Sequence, residues 1–360
     1  MFVYILYGLA AFYFLTILCL FRGIQVSIAV LETAAVVILR NIRILIVPFI
    51  SSIVIFSFIG VWIVGAIYMV SSANITLPPR SADDNLSQLK DINLDGKEYL
   101  KWHISVYVFG LFWIAELLAA IFHYALIVGV CTWYFTSTAD SRGSFSLFKG
   151  FWWALRYNLG SLALGSFILA LIWVIRIVFE YFQSKLQKMG GDNSVTKCAT
   201  CVIRCCLDCC HRFVKFLNKN AYIQVALTGK NFCSSAMAAF VLALKNSGSF
   251  IITNGIGALI QLLGKLSITV GNVIVAYIML TQLEGVRAGA ASPYPPLLIV
   301  AGISYLMANI FMSVYSITSL TLLQCLYADV DLCKQSDSDI WESKQRPVEM
   351  RSIVNKLRKD

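Results

Sequence analysis

Charge is what this sequence has least of. Only 13% of its 360 residues are Asp, Glu, Lys or Arg, against 59% hydrophobic. With a mean hydropathy of +0.76, that excludes a soluble domain with a solvated surface. Histidine is scarce too: His103, His123 and His211 are scattered along the chain, too few to converge with carboxylates as an enzyme acting on lipid headgroups would require. No Gly-x-x-x-x-Gly-Lys-Ser/Thr phosphate loop occurs, so ATP-driven work is not expected, nor is any cofactor, resident metal or covalent catalysis. The first apolar run begins at Met1 without a basic n-region or a small-residue cleavage site, so no cleaved signal peptide is needed and the run itself can anchor the chain. Lys and Arg outnumber Asp and Glu by 29 to 19, but the basic residues sit between apolar runs instead of forming a patch with interleaved aromatics. That pattern excludes nucleic acid as a partner and matches a positive-inside topology signal.

What is present is length in apolar runs. Crossing hydrocarbon takes roughly 20 residues, and stretches of that order run over Val3–Phe21, Ile44–Val70, Val106–Phe135, Gly160–Tyr181, Phe250–Thr281 and Leu297–Leu326. A seventh, Phe216–Leu244, carries Lys219, Asn220, Lys230 and Asn231 and reads as a polar-lined span or a helix lying in the interface. The expected fold is an all-α polytopic bundle of about six to eight membrane segments over residues 1–332, surrounded by lipid, with a cytosolic tail over 333–360.

Side assignment starts from the polar stretch Ser71–Ser105, where five acidic residues face four basic ones and Pro78-Pro79 interrupts any helix. It reads as an outside loop, and both sequons of interest, at Asn74 and Asn85, fall inside it as glycosylation sites. Arg22, Arg40 and Arg43, the Ala139–Gly150 connection and the basic C-terminal tail then fall on the cytosolic side. At Gln183–Lys215 six basic and two acidic residues also indicate the cytosol, whereas one crossing after Gly150 would place the segment outside. The charge pattern leads to an expected interfacial or re-entrant piece within Phe151–Tyr181, and a Phe216–Leu244 segment that does not cross as one simple helix.

Six of the eleven cysteines form a run at Cys198, Cys201, Cys205, Cys206, Cys209 and Cys210. Reduced thiols on a membrane-surface helix, palmitoylation at Cys205, Cys206, Cys209 and Cys210, a thiolate metal site and disulfides all compete for it. Ionisable side chains inside spans are functional candidates because each costs several kcal/mol without a partner. In the third run Trp113, Glu116, Ala120, His123 and Ile127 recur at helical steps, placing a ring, a carboxylate and an imidazole on one face. A quaternary ammonium has no N–H to donate, so aromatic faces and a carboxylate are what recognise it. Trp62, Tyr68, Trp113, Glu116, His123, Trp133 and Tyr134 are the expected substrate contacts, with an interfacial aromatic belt as the competing role of Trp133 and Tyr134. Arg176 and Glu180, four apart, are expected to pair.

Two strings are more specific than any of this: Arg156-Tyr157-Asn158-Leu159-Gly160-Ser161-Leu162-Ala163-Leu164-Gly165, and Phe213–Tyr222 running on to Gly229-Lys230-Asn231-Phe232-Cys233. With the cysteine run, Leu263-Gly264-Lys265-Leu266 and Leu322–Asp331 in the same order, the sequence resembles the choline transporter-like family over most of Trp113–Leu332 and more loosely over Val3–Ser71. The resemblance implies about ten spans in the full family pattern, cytosolic termini, a large glycosylated first outside loop, and facilitated uptake of choline and related amines, most often at the plasma membrane. This chain aligns with the later half of that pattern. The expected function is therefore movement of choline or a similar amine, with a non-transporting regulator or scaffold of a longer homologue as the alternative. In the family pattern amide side chains occupy the positions of Glu116 and His123, so a carboxylate cage at Glu116 would be particular to this chain.

Overall fold

The computed structural model describes residues 23–71, 98–136, 145–188, 194–282 and 294–335, together with Pro347, Met350 and Arg351. Hydrocarbon offers backbone N–H and C=O groups no partner, so an apolar chain must close its hydrogen bonds within helices. The described elements are α1 Gly23–Arg40, a 3-10 turn Ile42–Leu45, α2 Ile46–Ser71, α3 Glu98–Thr136, α4 Leu147–Arg156, α5 Leu159–Lys188, α6 Ser194–Thr228, α7 Phe232–Lys245, α8 Ser247–Gln282 and α9 Tyr294–Gln335. Among the described residues, six stretches are long and apolar enough to cross a membrane: Gly23–Arg40, Ile42–Met69, His103–Thr136, Leu159–Lys185, Ser247–Gln282 and Tyr294–Leu332. The pair α6 and α7 adds a seventh if it counts as one broken span. The all-α polytopic expectation is met.

Five of the expected runs fall in α2, α3, α5, α8 and α9. Val3–Phe21, Arg22, the sequons at Asn74 and Asn85, and most of the tail lie outside the described residues. One correction concerns α1. No apolar run is expected between Phe21 and Ile44, yet Gly23–Arg40 is a helix whose only charged residue before Arg40 is Glu32. Its missed signal is hydropathy diluted by Gln25, Ser27, Glu32 and Thr33. Arg40 therefore lies a full helix away from Gly23.

The chain divides into two compact units. The first comprises Met1–Phe49, Ile121–Ser161 and Phe216–Asp360. In it α8 and α9 run antiparallel, with Phe250 stacked on Tyr327 (6.2 Å between centroids) and Gly264 facing Met312. Helix α1 lies along α8, where the Thr253 hydroxyl donates to Ser27 Oγ at 2.8 Å, and Tyr315 of α9 donates to the Leu31 carbonyl at 3.1 Å. The C-terminal part of α3 runs parallel to α9, because Cys131 meets Cys325 (Sγ to Sγ 3.6 Å) and one turn further on Tyr134 meets Asp329.

Helix α4 is short because Ser146 caps its start, accepting from the Lys149 N–H at 3.4 Å. Its end is fixed by Asn158, whose side-chain amide donates to the Trp153 carbonyl (3.2 Å) and to the Tyr124 hydroxyl (2.8 Å). Gly150 and Ala154 are its buried residues, while Phe148, Trp152 and Leu155 are exposed. Apolar rings on one side, with Lys149 and Arg156 in the same ten residues, are what an interfacial helix presents to a bilayer surface.

The second unit comprises Ile50–Ala120 and Leu162–Lys215. Its helices form successive antiparallel pairs. Tyr107 of α3 donates to the Trp62 carbonyl of α2 at 2.6 Å. Trp113 of α3 donates its indole N–H to the Ala163 carbonyl of α5 at 3.1 Å. Between α5 and α6, Arg176 binds Asp208 at 2.9 Å and Arg204 donates to Gln183 at 3.3 Å. Arg176 also pairs with Glu180 at 3.2 Å as its spacing implied.

The piece expected to stand apart within Phe151–Tyr181 is confined to its first residues, in α4. Helix α5 is unbroken from Leu159 to Lys188, and only Phe151–Arg156 is set apart, as part of α4. Within the second unit the Lys188 and Ser194 ends therefore point the same way as the Ser71 and Glu98 ends, and an outside placement of one carries the other with it.

A Cβ on Gly150 would lie 2.6 Å from the Ala125 carbonyl oxygen and 2.7 Å from its Cα. Both are backbone atoms that cannot swing aside. Gly150→Ala is expected to destabilise the detergent-solubilised protein by about 1–3 kcal/mol, read as a lowered Tm, with Gly160→Ala as the control because nothing lies within 4 Å of its added methyl.

Candidate functional site: a buried polar network at a helix break

Helices α6 and α9 carry polar residues at helical spacing toward each other. Asn220 and Gln224 are four apart on α6 and so share a face. On α9 Thr321 and Gln324 are buried and three apart, and Asp329 follows. The Gln324 amide donates to Asn220 Oδ1 at 2.6 Å, and its oxygen accepts from the Gln224 amide at 2.9 Å. Asn220 in turn donates to the Phe216 carbonyl at 2.7 Å. The result is a directional chain of three amides, closed at one end onto the backbone. A turn beyond, the Tyr134 hydroxyl donates to Asp329 at 3.3 Å, and both residues are buried. The Thr318 hydroxyl is buried with no hydrogen-bond partner.

Below Gln224 helix α6 stops. Gly229 takes a left-handed φ of +67°, a conformation a side chain resists, and its N–H donates to the Val225 carbonyl at 2.9 Å, the form of an αL cap. Asn231 then caps α7, accepting from the Ser234 N–H at 3.4 Å. The two helices meet at 108°, so Phe216–Leu244 does not cross as one simple helix, as expected. Breaks of this type expose helix termini to a cavity and are where transporters commonly place polar chemistry.

A pocket of about 770 Å³ opens beside the break, lined by Phe135, Gln224, Ser234, Met237, Lys245 and Asp331 among others. Its size lies within the range of small-molecule sites. Gln224 belongs both to the pocket wall and to the amide chain. The pocket holds one carboxylate, one amine and one aromatic ring in an otherwise mostly aliphatic lining.

The sequence-expected contacts divide between the units. In the second, Trp62 lies against Tyr107 (4.6 Å between centroids) and its indole N–H is buried without a hydrogen-bond partner. Tyr68 is exposed. Trp113 packs on Phe109 and Phe167 at 6.1 and 5.4 Å, and Glu116 is half-buried. In the first unit, Trp133 and Tyr134 are buried in the helical core, a setting unlike that of belt residues facing lipid. His123 lines a void of about 10 Å³ with Lys219, Tyr222 and Ile317, room for about one water and too little for an amine.

Sequence reasoning passed over Asn220, Gln224, Gln324, Asp329 and Asp331. The signal was available: two amides four apart in a run already read as polar-lined, and two carboxylates closing an apolar run.

Long apolar helices and a broken helix pair define an integral multi-pass membrane protein, with a buried polar network and an adjoining pocket in its first unit. The family described as plasma-membrane choline transporter matches residues 4–331. Human choline transporter-like protein 2 is 36% identical over 255 residues, which cover 69% of this chain and 35% of that protein. Choline transporter-like protein 5 of Xenopus tropicalis is 31% identical over 364 residues, covering 90% and 50%. The chain thus belongs to the choline transporter family, and it spans between about a third and a half of the length of these relatives.

Replacing Gln324 by Leu removes the middle of the amide chain and leaves Asn220 and Gln224 each short of a partner. Such a loss costs about 1–2 kcal/mol in a membrane bundle. The expected outcome is a lower Tm by fluorescence-detected size exclusion, with Gln324→Glu intermediate because one carboxylate oxygen can still accept from Gln224.

Proposed function

We propose that this chain moves choline, or an amine of similar size, across a membrane down its electrochemical gradient, with the pocket beside the α6–α7 break as one substrate-accessible station. The observation that carries the reading is the pocket itself: Phe135 supplies an aromatic face, Asp331 a negative charge, and Gln224 joins both to the buried network. A trimethylammonium group is matched by ring faces and a nearby carboxylate. Lys245 works against a bare cation in the same space, tuning affinity downward. No step of the proposal forms or breaks a covalent bond, and none requires a catalytic residue. The plasma membrane is the proposed location.

The proposal retains the expected contacts within their own units. In the second unit, Trp62, Tyr68, Trp113 and Glu116 are candidate cage residues. The unpartnered Trp62 N–H supports this, since choline carries one hydroxyl oxygen able to accept it. In the first unit, Tyr134 holds Asp329 in place, and Trp133 and His123 lie in the surrounding core. The alternative, a non-transporting partner of a longer homologue, is favoured if the chain reaches the membrane and carries nothing.

Uptake of radiolabelled choline into proteoliposomes holding these 360 residues, compared with empty vesicles, tests the reading. Saturable uptake is expected. Asp331→Asn should raise KM and Lys245→Met lower it, each by roughly threefold to tenfold, as expected for partly screened charges. Trp113→Ala should raise KM by roughly tenfold if its ring meets the ammonium, with Trp113→Phe retaining most affinity. Uptake no greater than in empty vesicles, from a correctly inserted monodisperse protein, sinks autonomous transport.

A further inference from the structure

The cysteine run has no part in that reading, yet its geometry is specific. Cys205, Cys206, Cys209 and Cys210 occupy positions i, i+1, i+4 and i+5 of α6, all exposed. Helical spacing brings i and i+4 side chains together, setting Cys205 beside Cys209 and Cys206 beside Cys210 on the exposed surface of α6. The four thiols are thus arranged as two parallel pairs.

The surroundings are aqueous in character. Arg204, Asp208, Arg212 and Lys215 fall within the same three turns, too much charge for hydrocarbon, and His211 packs edge-on against Trp173 at 5.4 Å. Arg176 takes Asp208 at 2.9 Å, so that carboxylate is occupied by a partner on α5.

We propose that α6 carries a soft-metal site made of two dithiol claws, Cys205 with Cys209 and Cys206 with Cys210, each holding one monovalent d10 ion of the copper(I) class between two sulfurs. Thiolate is the ligand such ions select. Among the described residues no three His, Cys, Asp or Glu side chains converge on one point, which disfavours tetrahedral zinc and leaves an ion content with two ligands. Two sulfurs each roughly 2.3 Å from a metal stand about 4.6 Å apart when opposed, within reach of side chains one helical turn apart. On binding, each claw releases two thiol protons and forms two sulfur–metal bonds. The ion's oxidation state is unchanged, and the claw is left with one net negative charge. Arg204, Arg212 and Lys215 on the same helix offset the charge of both claws.

The test uses the full chain purified in detergent under ascorbate, titrated with copper(I) against bicinchoninate as competing chelator. One ion per claw should be withdrawn from the chelator. Cys205→Ser/Cys209→Ser and Cys206→Ser/Cys210→Ser should each lose one ion, and the four-serine variant both. Cys131→Ser/Cys325→Ser should keep both, and size exclusion confirms that every variant folds. Unchanged stoichiometry in the four-serine variant overturns the site. So does tight zinc(II) binding by all four thiols at once, or hydroxylamine-released acyl groups showing that these cysteines are palmitoylated in protein isolated from cells.

Discussion

The amide of Gln324 holds the first unit together. A buried primary amide needs both its oxygen and its nitrogen engaged, and in a medium that excludes water the penalty for half-satisfaction falls on the neighbours as well. Gln324 spends its nitrogen on Asn220 and its oxygen on Gln224, so it can satisfy itself only when α6 and α9 stand in one register. With that register set, the end of α6 falls where Gly229 turns the chain, and α7 is directed away at 108°. The pocket is what remains between the turned chain and the ends of α3 and α9. Its shape follows from a hydrogen-bond requirement one turn deeper.

The second unit is held by a different chemistry. Its contacts are ring on ring and ring on backbone: Trp62 with Tyr107, Trp113 and Phe109 with Phe167, Phe112 stacked on Trp173. The Trp113 indole N–H finds a backbone carbonyl, while that of Trp62 is buried without one. Charges concentrate where α5 and α6 come together through Arg176, Glu180 and Asp208. Each partner lowers the desolvation cost of the others.

Span positions were legible because hydrocarbon leaves a chain little choice: a run of the right length without charge is a helix. Helix α1 escaped because Gln25, Ser27, Glu32 and Thr33 lower its hydropathy, and two of these, Ser27 and Thr33, are the residues that bury against neighbours or their own backbone. The break after Thr228 was half legible. Lys230 and Asn231 announced that something interrupts the run, but the direction of the turn depends on Gly229 adopting a positive φ, which tertiary packing decides. Trp113 and Tyr134 both fall on α3 within the run read at Val106–Phe135, but their partners come from 50 and 195 residues away, a separation no local pattern encodes. The amide chain was missed for the same reason, since Gln224 and Gln324 are 100 residues apart.

The Tyr134–Asp329 contact also sets a timetable. A ribosome adding about 5–20 residues each second needs about 10–40 s to cover the 195 residues between them. Throughout that interval α3 has been made and its hydroxyl at Tyr134 and thiol at Cys131 lack the helix that will cover them. Parallel neighbours cannot zip together as a hairpin does, so α3 must wait in the insertion machinery or in lipid until α9 emerges. Among the described helices it is therefore the last to be synthesised that closes the core, and a ribosome that stalls between the two leaves a nascent chain whose polar groups are open to any passing partner.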